Sequence, residues 1–373
     1  MFLQKLGIAD SIFLKQSLPE VLMIFAMYVV YLGLGHTLLC KTIKSGTISL
    51  YIRAAGNRMT DRRQRYSQAF PKANLTWFHP CRKHGSTTIA PEIQACILEI
   101  KRWENMPDRR EPLTTDMIQY QKLQCSSATP HSLHHALYDW FVTGIYAGFR
   151  LSEWAQDDHV CTRLQVKQTI DGDPTAFLIG DIEFYGENRR RMSRGEALRR
   201  PYTVFTIDCR WRYQKNGKKC EKKTFTRIGR GHDAILCGVS AWLRIVHRWS
   251  ILKLDDLYPL AVFTSSGLDN GSIEFIRPTH INAALREATT KVYNITDPKE
   301  LARFSSHSIR VGACVALHAA GVSKMDIKFA LRWKSDSFYT YLRNLPCQSA
   351  KTAAAVLNFS PHRFTLVPTN QVA

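Results

Sequence analysis

Acidic residues are scarce in this chain: 31 Asp and Glu stand against 51 Lys and Arg over 373 residues, a formal charge of +20. A field of that sign points to nucleic acid or an anionic membrane as the partner and says nothing about fold. The ten cysteines show no repeated spacing, which excludes a regular disulfide framework and suits reduced intracellular thiols. Cys209, Cys220, His232 and Cys237 could form a zinc site on paper, but their spacings match no common zinc module, so no metal is expected. Internal repeats are missing. Residues 1–15 lack the basic-then-apolar order and small-residue cleavage site of a secretory signal, so the chain is expected to stay inside the cell, in nucleus or cytoplasm.

Charge of either sign is missing from residues 21–40, a run about as long as a bilayer span. Tyr28, Tyr31, Gly33, Gly35, His36 and Thr37 dilute it, and Ser17-Leu18-Pro19-Glu20 in front reads as a capping box. The expectation is a buried core helix with no membrane partner, a membrane span being the alternative.

What is present begins with helical periodicity. Residues 41–59 place Ile48, Tyr51, Ile52 and Ala55 on one face, and residues 90–103 do the same with Ile93, Cys96, Ile97 and Ile100. Residues 104–112 then gather two prolines and five charges, the best linker in the chain. It separates a small helical domain, 1–107, from a larger one, 113–373. Thr114 and Thr115 before Asp116 start the next helix, and a longer one runs from Pro130 to the segment Gly148-Phe149-Arg150-Leu151-Ser152-Glu153.

Three strand-like runs follow, at residues 176–185, 204–215 and 220–228. In the middle run Phe205, Ile207, Cys209, Trp211 and Tyr213 alternate with polar residues, and Asn216-Gly217 signals a tight hairpin with Lys215 at its tip. Helical patterns return at 236–252 and 279–292. Fifteen basic residues crowd residues 189–230; such a face neutralises phosphates, or else is a solvated loop or a localisation signal. Lys44 and Arg53 near the N-terminus, with Arg212 and Lys218 in this stretch, are the candidate nucleic-acid contacts, and the charge by itself does not distinguish DNA from RNA.

Chemistry concentrates near the C-terminus, in Ser305-Ser306-His307-Ser308-Ile309-Arg310-Val311-Gly312-Ala313, then Arg332-Trp333, then Tyr339-Thr340-Tyr341-Leu342-Arg343-Asn344-Leu345. A helix starting at Ser305 or Ser306 sets His307 and Arg310 on one face, with serines capping free N–H groups and a positive helix end that attracts phosphate. By itself a His-x-x-Arg pair is more often a satisfied surface pair. A tyrosine is a nucleophile only when cations and a base activate its phenol, and a lone tyrosine is more often a packing residue. Tyr339 is a rival to Tyr341, and on a helix the two point in different directions.

Arg150 with Leu151-Ser152-Glu153, Lys215, His307-x-x-Arg310, Trp333 and Tyr341 occur in the order and approximate spacing of the tyrosine recombinases of the phage-integrase family. HSIRVGA followed by W…YLRNL resembles the Cre branch. The resemblance is densest over residues 305–345, looser over 144–156 and the hairpin, and reaches the N-terminal part only in size and pattern. It implies a helical, SAM-like core-binding domain joined to an α+β catalytic domain with a small three-stranded antiparallel sheet. It also implies a site-specific recombinase or integrase, of the kind carried by mobile genetic elements. Such an enzyme acts on double-stranded DNA as a homotetramer on two sites, without metal or nucleotide cofactor.

By the same resemblance Arg150 and Arg310 hold the scissile phosphate, and His307 hydrogen-bonds it and helps move the tyrosine proton. Lys215 protonates the leaving 5′ oxygen, Trp333 donates its indole N–H, Glu153 orients its neighbours, and Tyr341 forms a 3′-phosphotyrosyl bond. Residues 347–358 form a helix that either exchanges between subunits or packs on its own. Three departures stand out. Arg332 replaces a common glycine, the interval from Trp333 to Tyr341 is one residue short, and residues 189–201 are a basic insertion. Lys218 and Lys219 compete with Lys215 for the lysine role. Two other readings stay open: a type IB topoisomerase, and a DNA-binding protein that kept the fold without the catalysis.

Overall fold

The computed structural model describes residues 18–36, 43–69, 81–83, 87–104, 109–168, 172, 174–212, 221–227, 236–265, 272–333 and 339–342. The chain divides into two compact units, Met1–Pro107 and Asp108–Ala373.

In the first unit three helices share one apolar core: α1 (Leu18–Gly33), α2 (Ser45–Ala69) and α3 (Pro91–Trp103). Val21, Ile24, Phe25, Val29 and Leu32 fall at helical spacing on α1 and pack with Ile48 and Ile52 of α2 and Ile93, Ile97 and Ile100 of α3. Each such side chain contributes about 1.5–3 kcal/mol by leaving water. Proline at the first position of α3 removes an N–H that would have no partner there, and Lys101 and Arg102 sit at the negative helix end. From Val21 to Gly33 the charge-free run is thus a helix with a core on one side. Among the described residues no helix is long and apolar enough to cross a membrane. The expected capping serine, Ser17, lies outside the described residues. α2 continues ten residues past the expected end at Met59, because the chain beyond is polar and offers no apolar stripe to betray a helix.

The second unit is built around α5 (Leu133–Ala147), which is buried nearly all round. It packs against α4 (Thr115–Gln124), α7 (Gly238–Ile251) and α10 (Ser308–Ala319). Thr114 caps α4 by accepting the Met117 N–H at 3.3 Å. Trp140 of α5 anchors an aromatic core, stacked on Trp154 at 4.8 Å and edge-on to Phe149 and Trp242. α5 and α7 are also joined by a buried ion cluster, in which Arg244 and Arg248 donate to Asp139 at 2.6 and 2.5 Å.

The sheet is antiparallel, in the order β2-β1-β3-β4, with β1 (Ile182–Tyr185), β2 (Arg191–Met192), β3 (Thr206–Arg210) and β4 (Lys222–Thr226). Pairing sets Phe184 beside Ile207, Ile207 beside Phe225, and Cys209 beside Lys223. Residues directly opposite share a face, so the buried face carries Phe184, Ile207, Cys209 and Phe225. Three strands were expected and four are present, because the basic insertion folds back as β2 along β1 and continues into α6 (Arg194–Arg199). Arg189 in that insertion stacks 4.2 Å over Tyr185 and pairs with Asp208. The hairpin tip, with Lys215 and Asn216-Gly217, lies outside the described residues. A second ribbon, β5 (Val262–Thr264) with β6 (Ile273–Phe275), was not expected, since three-residue strands are too short to show alternation.

The remaining helices are α8 (Pro278–Tyr293), α9 (Pro298–Leu301), α10, α11 (Lys324–Ala330) and α12 (Tyr339–Leu342). α10 meets the strand-like segment before α4 at backbone distance: Leu113 donates its N–H to the Ser308 carbonyl at 2.9 Å. At Gly312 a β-carbon would collide with the Leu113 carbonyl oxygen. Gly312→Ala should therefore lower stability by about 1–3 kcal/mol, because the obstacle is backbone. Urea unfolding followed by tryptophan fluorescence checks this, and an unchanged midpoint would show that α10 can shift freely.

Candidate active site

The site is assembled from the ends of α5, α10 and α11, from α12, and from Trp211 just past the end of β3. α5 stops at Gly148, whose left-handed φ of +55° is the usual helix C-cap, and its N–H bonds the Gly144 carbonyl at 2.7 Å. A β-carbon at Gly148 would press on Leu331, 2.8 Å away. Bare backbone leaves the Gly148 carbonyl open to Arg310, which donates Nη1 to it at 2.5 Å. Two residues on, Arg150 is extended and a short 3-10 turn brings Glu153 back onto it. Glu153 accepts from the Arg150 backbone N–H and from Arg150 Nη1, both at 2.9 Å.

Glu153 is only 3% exposed, so its carboxylate must be fully partnered. Besides Arg150 it accepts from Trp211 Nε1 at 3.1 Å and from both Nη atoms of Arg332 at 3.0 Å. The Arg332 guanidinium carbon lies over Trp211, 3.8 Å from the ring centre. Burial alone would raise the Glu153 pKa, but the charge and hydrogen bonds of Arg332, then those of Arg150, hold it below the usual carboxylate value. Arg332 reaches this position with a left-handed backbone, φ +58°. For a residue with a side chain that conformation costs about 1–2 kcal/mol.

α10 begins at Ser308, with His307 in the N-cap position, rather than at Ser305 or Ser306 as expected. The serines do not cap it. Ser308 Oγ accepts the Ser305 N–H at 3.0 Å, while the Ser306 N–H goes to Asn282 at 2.8 Å. These bonds stiffen the turn that presents His307, and the His307 backbone is already helical, so Arg310 remains its first-turn neighbour. Arg310 is buried, with its second Nη on the Leu331 carbonyl at 2.9 Å and its guanidinium 4.9 Å from the Trp333 ring centre. Burial, then the nearby Arg150 and Arg332, press its pKa down to about 9, so it is still a cation at neutral pH.

His307 Nε2 lies 2.8 Å from the Tyr341 hydroxyl, and the Tyr341 ring also touches Trp333, 5.5 Å between centres. One edge of His307 is exposed. The protein around the rest of the ring, followed by Arg310 and Arg110, lowers its pKa below the ordinary histidine value, so it is neutral at pH 7 and able to accept a proton. Partial burial raises the Tyr341 pKa, with Arg310 opposing and Cys314 adding to the rise. The resting pair is a neutral phenol beside a neutral imidazole. Tyr339 is placed differently, with the Lys324 ammonium 4.9 Å over its ring.

Arg150, Glu153, His307, Arg310, Trp333 and Tyr341 thus come together within one unit. Lys215, Lys218 and Lys219, together with residues 347–358, lie outside the described residues, as do Cys220 and His232 of the paper zinc set. Arg212 is engaged by Asp181 at 2.8 Å, while Lys44 and Arg53 are exposed in the first unit. The residues that reading the sequence missed are Trp211, Arg332 and Lys223. Trp211 was visible only as part of a strand alternation, and Arg332 only as a departure next to Trp333. Lys223 sits opposite Cys209 on the buried face of the sheet, half-buried and without a hydrogen-bond acceptor among the described residues. Burial first and then Arg332 lower its pKa. A lysine on an otherwise apolar sheet face was its available signal.

No family model matches the sequence, and no curated protein matches it. Among solved structures the chain is similar to the Tn1549 transposon integrase in complex with circular intermediate DNA, with a TM-score of 0.41 and 12% identity over 90% of this chain and 86% of that one. It is also similar to that integrase in complex with transposon right end DNA, with a TM-score of 0.38 and 11% identity over 90% of this chain and 93% of that one.

The lowered Glu153 pKa has a direct consequence for stability. A carboxyl group depressed by folding stabilises the protein above its unfolded value of about 4.3 and loses that contribution as pH falls through the folded value. In urea titrations the stability gap between wild type and Glu153→Gln should be widest near neutrality and shrink below the ordinary carboxylate range. A gap independent of pH would show that Glu153 is not held ionised.

Proposed function

We propose that the chain is a DNA strand transferase of the tyrosine-recombinase kind, with Tyr341 as nucleophile. The observation that carries this reading is the 2.8 Å contact of the Tyr341 hydroxyl with a neutral His307, beside the buried cation Arg310. A phenol needs a base for its proton and cations for the charge that develops on the phosphate it attacks. Both are adjacent here.

The Tyr341 oxygen attacks the scissile phosphorus and its proton passes to His307 Nε2. The bond from phosphorus to the 5′ oxygen breaks as a lysine protonates that oxygen, leaving a 3′-phosphotyrosyl ester and a free 5′ hydroxyl. Attack by a second 5′ hydroxyl reverses every transfer, and because bond energy stays in the ester the cycle needs no nucleotide. Arg150 and Arg310 serve the non-bridging oxygens, for which a guanidinium fork is well shaped, and Trp333 closes the site over Arg310. Lys215, which the sequence pattern puts at a hairpin tip, is the proposed acid, with Lys218 and Lys219 as its rivals and Lys223, whose pKa is lowered by burial and then by Arg332, as a further candidate. The first unit and the larger one would each bind the duplex, as core-binding and catalytic domains, working as a homotetramer on two DNA sites. The +20 charge suits that partner.

Covalent trapping tests the reading. Wild type incubated with nicked duplex pools and then denatured should carry DNA, Tyr341→Phe should carry none while keeping DNA affinity, and Tyr339→Phe should behave as wild type. Loss only in Tyr339→Phe would move the nucleophile, no adduct in wild type bound to DNA would leave a binding protein, and supercoil relaxation without recombinant products would favour a topoisomerase.

The lowered His307 pKa also sets the acid limb. The neutral imidazole is the active form, so adduct formation should hold steady down through neutrality and fall only below the ordinary histidine value of about 6.5. Rates measured at DNA concentrations well below saturation, which report the DNA-free protein, give the midpoint, and a limb at or above about 6.5 would remove His307 as the proton acceptor.

A further inference from the structure

Arg150 and Glu153 by themselves form a neutral pair, which is a poor arrangement for a residue meant to attract a phosphate. Glu153 takes the Arg150 Nη1 hydrogen and lies close enough to cancel its charge. Arg332 alters that balance. Both of its Nη atoms fork onto the same carboxylate, its side chain is 7% exposed, and Trp211 backs its guanidinium face. Among the described residues the Arg150 side chain donates only through Nη1, so its other donors are uncommitted.

We propose that Arg332 is a charge-balancing and positioning residue: it takes over the Glu153 carboxylate, so that Arg150 is held in place by Glu153 yet keeps a full unit of positive charge and spare donors for the scissile phosphate. Arg332 itself does not touch the phosphate. Its fork faces Glu153 and its guanidinium carbon lies over the Trp211 ring. The strained backbone is consistent with this role, because the left-handed φ of +58° at residue 332 persists under a packed, doubly bonded side chain. The proximity of the guanidiniums also bears on Arg310, whose pKa is pressed down first by burial and then by both Arg150 and Arg332.

The inference rests on the strand-transfer reading, and its test separates the two. Wild type, Arg332→Gln, Arg332→Lys and the double variant Glu153→Gln/Arg332→Gln are compared in two assays. These are the rate of covalent adduct formation at saturating nicked DNA, and calorimetric binding of inorganic phosphate to the DNA-free protein. Arg332→Gln should slow adduct formation at least ~10-fold, less than the ~100- to 1000-fold seen when a group in direct contact with the transition state is removed, because Arg332 acts through Arg150. It should also weaken phosphate binding, with little change in DNA affinity. The double variant removes one charge of each sign and should recover most of both losses, and Arg332→Lys should fall between.

A purely architectural arginine predicts the opposite order, with the double variant worse than the single. That order overturns the proposal, as does Arg332→Gln indistinguishable from wild type in both assays, or wild type that binds no phosphate. If Arg332→Gln fails to fold, the double variant compared with wild type carries the test, and near-wild-type phosphate binding is then the required result. Absence of any adduct in wild type would sink the strand-transfer reading alone, while phosphate binding across the series still decides the role of Arg332.

Discussion

Five hydrogen bonds converge on the buried Glu153 carboxylate, from the Arg150 backbone, the Arg150 side chain, Trp211 and both arms of Arg332. These donors come from three stretches of chain far apart in sequence: the end of the central helix, the end of a sheet strand, and the turn after α11. An ionised carboxylate in the interior is costly unless every lone pair is used. The requirement runs in both directions, since Glu153 needs all of these donors and their mutual placement is set by the carboxylate they share. Movement of any one stretch would strand a charge.

The nucleophile end of the site is arranged by a different principle. Arg310 is tied to carbonyl oxygens on two segments, Gly148 and Leu331, so its position is set by backbone rather than by another ion. A cation held by carbonyls keeps its charge for a ligand, whereas one paired with a carboxylate does not. Burial, then neighbouring positive charge, keeps His307 neutral, while partial burial keeps Tyr341 protonated. The resting state therefore holds the proton on the phenol, and the electrostatic gain waits for a bound phosphate. In this sense the two arginines are prepared by complementary devices, one by carbonyl ties and the other by the Glu153 network.

Much of the architecture was legible in the sequence. The isoleucine spacing in α3, the Thr114 cap of α4 and the alternation through Ile207 and Cys209 each reflect local rules of period and capping, which act within a few residues. The same rules fail where no local signal exists. β5 and β6 are too short to alternate, the extension of α2 is polar, and β2 owes its strand state to β1 beside it rather than to Arg191 and Met192. The helix start at Ser308 was misplaced by two to three residues, because Asn282 and Ser308 took the partners that the serine-cap argument had assigned elsewhere.

The sequence by itself determined which residue types were present for chemistry, the order Arg150, Glu153, His307, Arg310, Trp333 and Tyr341, and the helices and strands that carry them. Those follow from covalent spacing and local hydrogen bonding. Only the tertiary structure decided that Arg332, a residue that reads as a mere departure, faces Glu153 across 179 positions of chain, and that Trp211 backs it. It likewise decided that Tyr341 lies against His307 while Tyr339 lies under Lys324. The physical reason is that charge compensation in a buried site is a sum over everything nearby in space, and no window of sequence contains those neighbours.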